Sequence, residues 1–181
     1  MPDQQELEEI QLLKAARQGD SLAFGQLYEC YAPRIFRYLF AHLDQRMEAE
    51  DLTEEVFLRV WRALPDYQER GAHFGGFVFR VARNALFDYY RRFRSRQEPE
   101  ALDEELLPAA QLNPADGSAA VVERFELQHA LGQLGEDQQT VLALRFLAGL
   151  TPEETGEAMG KTSGAVRVLQ HRALKALRKL I

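Results

Sequence analysis

Arginines and aromatic rings interleave through the segment FGGFVFRVARNALFDYYRRFR, and residues 73–96 carry six arginines against one acid, Asp88. Guanidinium groups neutralise phosphates, and flat rings offer unpaired bases stacking surfaces worth ~1–3 kcal/mol each. The chemistry this suits is the binding of single-stranded nucleic acid. At helical spacing, Val78, Val81, Ala82, Ala85 and Tyr89 form an inward stripe. Arg80, Arg83, Asn84, Phe87 and Arg91 fall on the other side, with Tyr90 beside them and Phe74, Phe77 and Phe79 near the N-terminal end. A second reading stays open, in which the phenylalanines are core and the arginines are only solvated.

Residues 160–181 hold six Lys or Arg and no acid. The surrounding stretch, LTPEETGEAMGKTSGAVRVLQHRALKALRKL, has the grammar of a helix-turn-helix. Thr151 can cap a helix, Pro152 fits its first position and Glu154 completes a capping box. Gly160 can take the left-handed conformation that ends this short helix, and Thr162 or Ser163 caps the next. In that second helix Val166, Leu169, Ala173 and Leu177 should be buried. Lys161, Ser163, Arg167, Gln170 and His171 lie at its start or on other faces, where such donors reach base edges and phosphates of a duplex. The plainer alternative is a helical hairpin with a basic tail. His171 has no partner at metal-ligand spacing.

In AEDLTEEVFLRVWRAL, Leu52, Val56, Val60 and Leu64 define an apolar face. Asp51, Glu54, Leu58, Trp61 and Arg62 lie opposite. A leucine and a tryptophan among outward charges suit a docking surface; equally, Trp61 can pack on a neighbouring helix. No Walker loop, metal-ligand cluster or nucleophile motif occurs, so no catalytic residue, metal, cofactor or enzyme activity is expected. The single cysteine, Cys30, sits in an aromatic, apolar run and is expected to be a buried structural thiol.

The elements that would position these groups are helical throughout; no period-two pattern or hairpin signal appears. Helices are expected over residues 6–17, 20–43 (kinked or broken at Pro33), 48–64 and 73–94, with a loop at 65–72. A further set covers residues 119–134, 136–148, 152–159 and 163–179. Between the two sets, residues 97–116 carry six acids and no base, with prolines, as a linker does. The expected fold is all-α: an N-terminal helical bundle (1–94), a flexible acidic linker (95–118) and a C-terminal helix-turn-helix domain (119–181). The chain of 181 residues has net charge −6. The two basic segments nonetheless carry +5 and +6 on a body of −17, which points to two separate polyanion contacts. Neither a membrane-length apolar run nor a signal-peptide layout is present, so a cytoplasmic protein without membrane insertion is expected.

From about Gln11 to Lys179 the chain resembles the extracytoplasmic-function (ECF) sigma factors, the small two-domain branch of the primary sigma factor family. The N-terminal block matches conserved region 2 and the C-terminal block region 4, in the right order around an acidic linker. The resemblance implies that AEDLTEEVFLRVWRAL binds the clamp helices of the largest RNA polymerase subunit through Asp51, Glu54, Glu55, Leu58, Trp61 and Arg62. It implies contact with the flap region of the second-largest subunit. It also implies that the loop at 65–72 and the helix after it capture and hold the melted −10 element, through Asp66, Tyr67, Arg70, His73, Phe77, Arg80, Arg83, Asn84, Phe87 and Arg91. GKTSGAVRVLQHRAL is similar to the helix that reads the −35 element as duplex, here through Lys161, Thr162, Ser163, Arg167, Gln170 and His171. Such a protein has core polymerase and promoter DNA as partners, allows an anti-sigma factor as another, and joins the nucleoid within the holoenzyme. Three departures stand out. Glu54 replaces a usual Gln, Phe77 and Phe79 replace Trp and Tyr, and Leu169-Gln170 inverts a common Arg-Leu order. A conventional helix-turn-helix regulator is the rival reading, and it leaves Leu58 and Trp61 unexplained.

Overall fold

A computed structural model of the protein describes residues 4–43, 45–68, 73–97 and 130–180. The described residues are helices and their connections, without strands. The first four helices are α1 (Gln4–Arg17), α2 (Ser21–Phe40), α3 (Arg46–Ala63) and α4 (Phe74–Gln97), with a 3-10 turn at Leu64–Asp66. The second group is α5 (Glu136–Leu142), which runs on into a π-helical turn (Ala143–Leu147), α6 (Pro152–Met159) and α7 (Ser163–Leu177). The expected linker falls almost wholly in residues 98–129, outside the described residues, as does most of the helix expected at 119–134.

Local chemistry explains the boundaries. Gly19, at φ +92°, ends α1, and the Asp20 carboxylate accepts from the Leu22 and Ala23 N–H groups at 2.9 and 3.1 Å to start α2. The stripe Leu52, Val56, Val60 and Leu64 is buried as its spacing requires. Of the kink or break expected at Pro33, the break does not occur: α2 runs on as one helix; Pro33 and Glu29 are both exposed, so water reaches the carbonyl that the missing N–H leaves open. One expectation needs correction. Cys30 is exposed, not buried. The buried positions of α2 are Ala23, Leu27, Tyr31, Ile35, Tyr38 and Leu39, and Cys30 lies off that stripe although Tyr28, Tyr31 and Ala32 surround it in the sequence.

The two helical groups touch. α6 packs along the beginning of α4, where Gly75 and Gly76 are buried. A Cβ on Gly76 would lie 2.7 Å from Cβ of Glu157, and one on Gly75 would collide with the Glu154 carboxylate. From α2, Arg34 Nε donates to the Ala148 carbonyl at 2.8 Å and Arg37 Nε to the Leu147 carbonyl at 3.3 Å. These bonds satisfy backbone acceptors that the end of the π-helical turn leaves without helical partners. One apolar cluster runs from the first group into the second, from Leu13 and Val78 to Val141 and Val166.

Candidate polymerase and nucleic-acid interfaces

α3 carries the first surface. With its apolar stripe turned inward, Asp51, Glu54 and Arg62 are exposed, and Leu58 is 55% exposed despite being fully apolar. Trp61 is half-buried with its ring 4.7 Å from that of Phe24, so it both packs within the bundle and keeps one side outward. The Glu54 carboxylate accepts a 2.6 Å hydrogen bond from the Tyr28 hydroxyl, and that bond raises the phenol pKa. Sequence reasoning missed Tyr28; its only signal was the i, i+4 spacing to Phe24 on the same helix. Glu55 turns away from this group toward α4, with Arg59 at 2.5 Å and Arg92 at 3.3 Å. Burial raises its pKa, but the hydrogen bonds from the two arginines outweigh that and hold it below the ordinary value. Arg59 also reaches Asp88 at 2.8 Å, which fixes α3 against α4.

α4 carries the second surface. Arg80, Asn84, Phe87 and Arg91 follow one another at steps of four, three and four, and so form one line along about 16 Å of helix. Arg80, Asn84 and Arg91 are exposed, and Phe87 and Arg83 are half-buried. The Arg83 guanidinium lies 4.9 Å from the Phe87 ring centre, and its Nε is buried without a hydrogen-bond partner among the described residues. Arg91 is paired with Asp88 at 2.8 Å. The other aromatic candidates lie deeper. Phe77 is 7% exposed, against Tyr67 at 4.7 Å and beneath the Arg80 guanidinium. Phe79 is fully buried on Tyr38, and Tyr67 is itself buried. Asp66 and His73 are exposed; Arg70 lies outside the described residues.

α6 and α7 form the third. The Thr151 hydroxyl accepts from the Glu154 N–H at 3.1 Å while Glu154 accepts from the Thr151 N–H at 2.7 Å, completing the capping box. Gly160 closes α6 at φ +67°, and Thr162 caps α7 by accepting from the Ala165 N–H at 3.2 Å. Gly156 escaped the sequence reading: a Cβ there would lie 2.5 Å from the Lys161 carbonyl, so the tight turn requires its absence. Val166 and Ala173 are buried, Leu169 and Leu177 half-buried. Thr162, Arg167 and His171 are exposed, and Lys161, Ser163 and Gln170 are half-buried. Five of these six already have protein partners: Lys161 with Asp137 at 3.0 Å, Thr162 with the Ala165 N–H it caps, Ser163 and Arg167 with Glu153, the latter at 2.8 Å, and Gln170 with Arg145 at 3.0 Å.

The second and third surfaces meet where α6 crosses α4. Burial there raises the pKa of Glu157, and the neighbouring Arg80 and His73 oppose the rise. Among the described residues no group of three or more His, Cys, Asp or Glu is arranged to hold a metal ion, and no helix is long and apolar enough to cross a membrane.

Residues 27–97 match Sigma-70 region 2 and residues 130–179 match Sigma-70, region 4. ShbA of Streptomyces griseus, an ECF RNA polymerase sigma factor, is 35% identical over 177 residues, covering 93% of both chains. BldN of Streptomyces coelicolor, of the same description, is 34% identical over 174 residues; the match takes in 95% of this chain and 65% of BldN. Among solved structures, CnrH in complex with the cytosolic domain of CnrY shares the fold, with a TM-score of 0.71 and 22% identity over 96% of each chain. With both regions in order and a relative matched almost end to end, the chain belongs to the ECF sigma factors, which direct RNA polymerase to promoters.

Proposed function

We propose that this sigma factor docks on the clamp helices of core polymerase through the exposed face of α3, reads the −35 element as duplex through α7 and holds the −10 element as a melted single strand along α4. What carries this division is the difference in kind between the two basic faces. α4 sets guanidinium groups beside a ring, with Arg83 over Phe87, and so serves phosphates and unstacked bases together. α7 contains no Phe, Tyr or Trp; it offers a capped helix with hydrogen-bond donors on its first turns, which suits the major groove of intact duplex. Because Phe77 and Phe79 are buried, the stacking role on α4 goes first to Phe87.

The test uses the holoenzyme assembled from core polymerase and the full chain. A −10 oligonucleotide of the non-template strand should bind more tightly than its complement, and Phe87→Ala should slow promoter opening more than closed-complex formation. A premelted bubble template should restore part of the loss, since stacking is gained only after the bases leave the duplex. Equal binding of the two strands, with normal opening by Phe87→Ala, would overturn the single-strand assignment.

A further inference from the structure

Gln170 and Arg167 are the two long polar side chains in the first half of α7, and the fold treats them differently. Arg145, in the π-helical turn, is rooted on the Leu150 carbonyl and donates from Nε to Gln170 Oε1 at 3.0 Å. Arginine has no acceptor, so the amide oxygen must face it, and Gln170 is drawn toward the body of the domain. Arg167 stays out, its side chain 60% exposed, but it is not free: Nη2 donates to Glu153 Oε1 at 2.8 Å. Glu153 is the second residue of α6, and its carboxylate is held below the ordinary pKa, first by its own backbone N–H, then by Arg167 and the Ser163 hydroxyl. One ionised group, anchored to a rigid helix start, therefore gathers two of the residues assigned to the −35 element.

We infer that Glu153 is a positioning residue for promoter reading: it holds the Arg167 guanidinium as a fixed fork of donors and so sets a preference for guanine at one base pair of the −35 element. The inference rests on the proposed reading of duplex DNA by α7. An exposed ion pair of this kind adds little to fold stability, so its effect lies elsewhere. A free arginine must have several torsions frozen before it can meet a base edge; one already tethered has fewer left to lose. Only one of the five guanidinium donors is taken by Glu153, so a bidentate edge remains, and guanine N7 and O6 are the adjacent acceptors that match it. The alternative is that Glu153 is a bare negative charge beside the phosphates that the first helix of such a motif crosses, in which case it opposes binding to every sequence equally.

Holoenzyme binding to a promoter library randomised across the −35 element separates these cases. Glu153→Gln should reduce discrimination by about five- to tenfold at the same base pair that Arg167→Ala affects, leaving affinity for unrelated duplex within about twofold. The double variant should be no less selective than Arg167→Ala alone, because the carboxylate acts only through the arginine. Glu153→Asp, which keeps the charge, should recover part of the preference. If Arg167→Ala changes base preference while Glu153→Gln leaves it intact or raises affinity for all sequences alike, the positioning role is overturned and the duplex reading stands. If Arg167→Ala changes no base preference, both fall.

Discussion

Leu58 sits 55% exposed in the middle of a charged face, where nothing in the bundle needs it. A leucine there gives up the burial it would gain in a core, and that gain returns only when a partner covers it. Leu58→Arg should therefore weaken binding to core polymerase by about tenfold or more, the scale of an interface anchor, while helix content and thermal stability stay unchanged. Titration of labelled chain with core enzyme reads the first, and circular dichroism the second. His42 tests the opposite situation. Its ring Nδ1 lies 2.7 Å from the Tyr38 carbonyl, and burial lowers its pKa below 6.5. A histidine with a depressed folded pKa is held neutral, so unfolding takes up a proton once the pH drops below the unfolded value. Its contribution is fully present above about pH 6.5 and declines as the pH falls through the folded pKa. The slope of melting temperature against pH in this range should be shallower in His42→Gln, and parallel slopes would show that another group is responsible.

Between elements, the decisive tie is Arg59, which joins its own helix at Glu55 to α4 at Asp88. The three groups are each about a third exposed, so solvent screens them in part; Arg59→Met should cost on the order of 1 kcal/mol, read as a shift in denaturant midpoint. Arg91, bound to the same carboxylate but 82% exposed, should matter far less, and Arg91→Met should leave the midpoint nearly unchanged. These elements were legible in the sequence to different degrees. The Thr151–Glu154 box, Gly160 and the buried stripe of α3 follow from interactions within three or four residues, which spacing encodes directly. Whether Phe77 and Phe79 face inward was not encoded in that way: a stripe of rings at the start of a helix looks the same whether a second helix covers it or not. Cys30 misled for a related reason, since apolar neighbours along the chain are not neighbours around a helix. The roles of Tyr28 and Glu153 were missed because each acts on a residue 26 or 14 positions away, and no local pattern reports a contact at that range.

At the scale of the whole molecule, the two helical groups lie against each other through α4 and α6, with Arg80 and His73 facing Glu157 across that boundary. Elements named −10 and −35 are about 25 base pairs apart, or ~85 Å of duplex, so both cannot be read in this closed arrangement. Residues 98–129, fully extended, reach at most about 110 Å, which is enough. The closed form depends on close approach at Gly76, where a methyl group would meet not only the carboxylate end of Glu157, which can move, but also its Cβ, which cannot move without the helix. Gly76→Ala should therefore enlarge the free protein, measured as the radius of gyration in solution scattering, without loss of helix content. An unchanged radius would mean that α6 shifts to accommodate the methyl group.

The same pair of glycines has a consequence for hydrogen exchange. Glycine is a weak helix former, by about 1 kcal/mol relative to alanine, and Gly75-Gly76 occupies the first turn of α4. In the closed form α6 lies over that turn, and the Phe77 N–H donates to the His73 carbonyl at 3.3 Å. Once α6 leaves, nothing compensates for the two glycines, and the turn frays from its N-terminal end. Amides 77 and 78, the first with helical acceptors, should then be the ones whose protection falls if the chain opens on binding polymerase, while amides 82–90, further along α4, keep theirs. Fraying would also release the ring of Phe77 from Tyr67, so a side chain that is core in the closed molecule would reach solvent only in the open one.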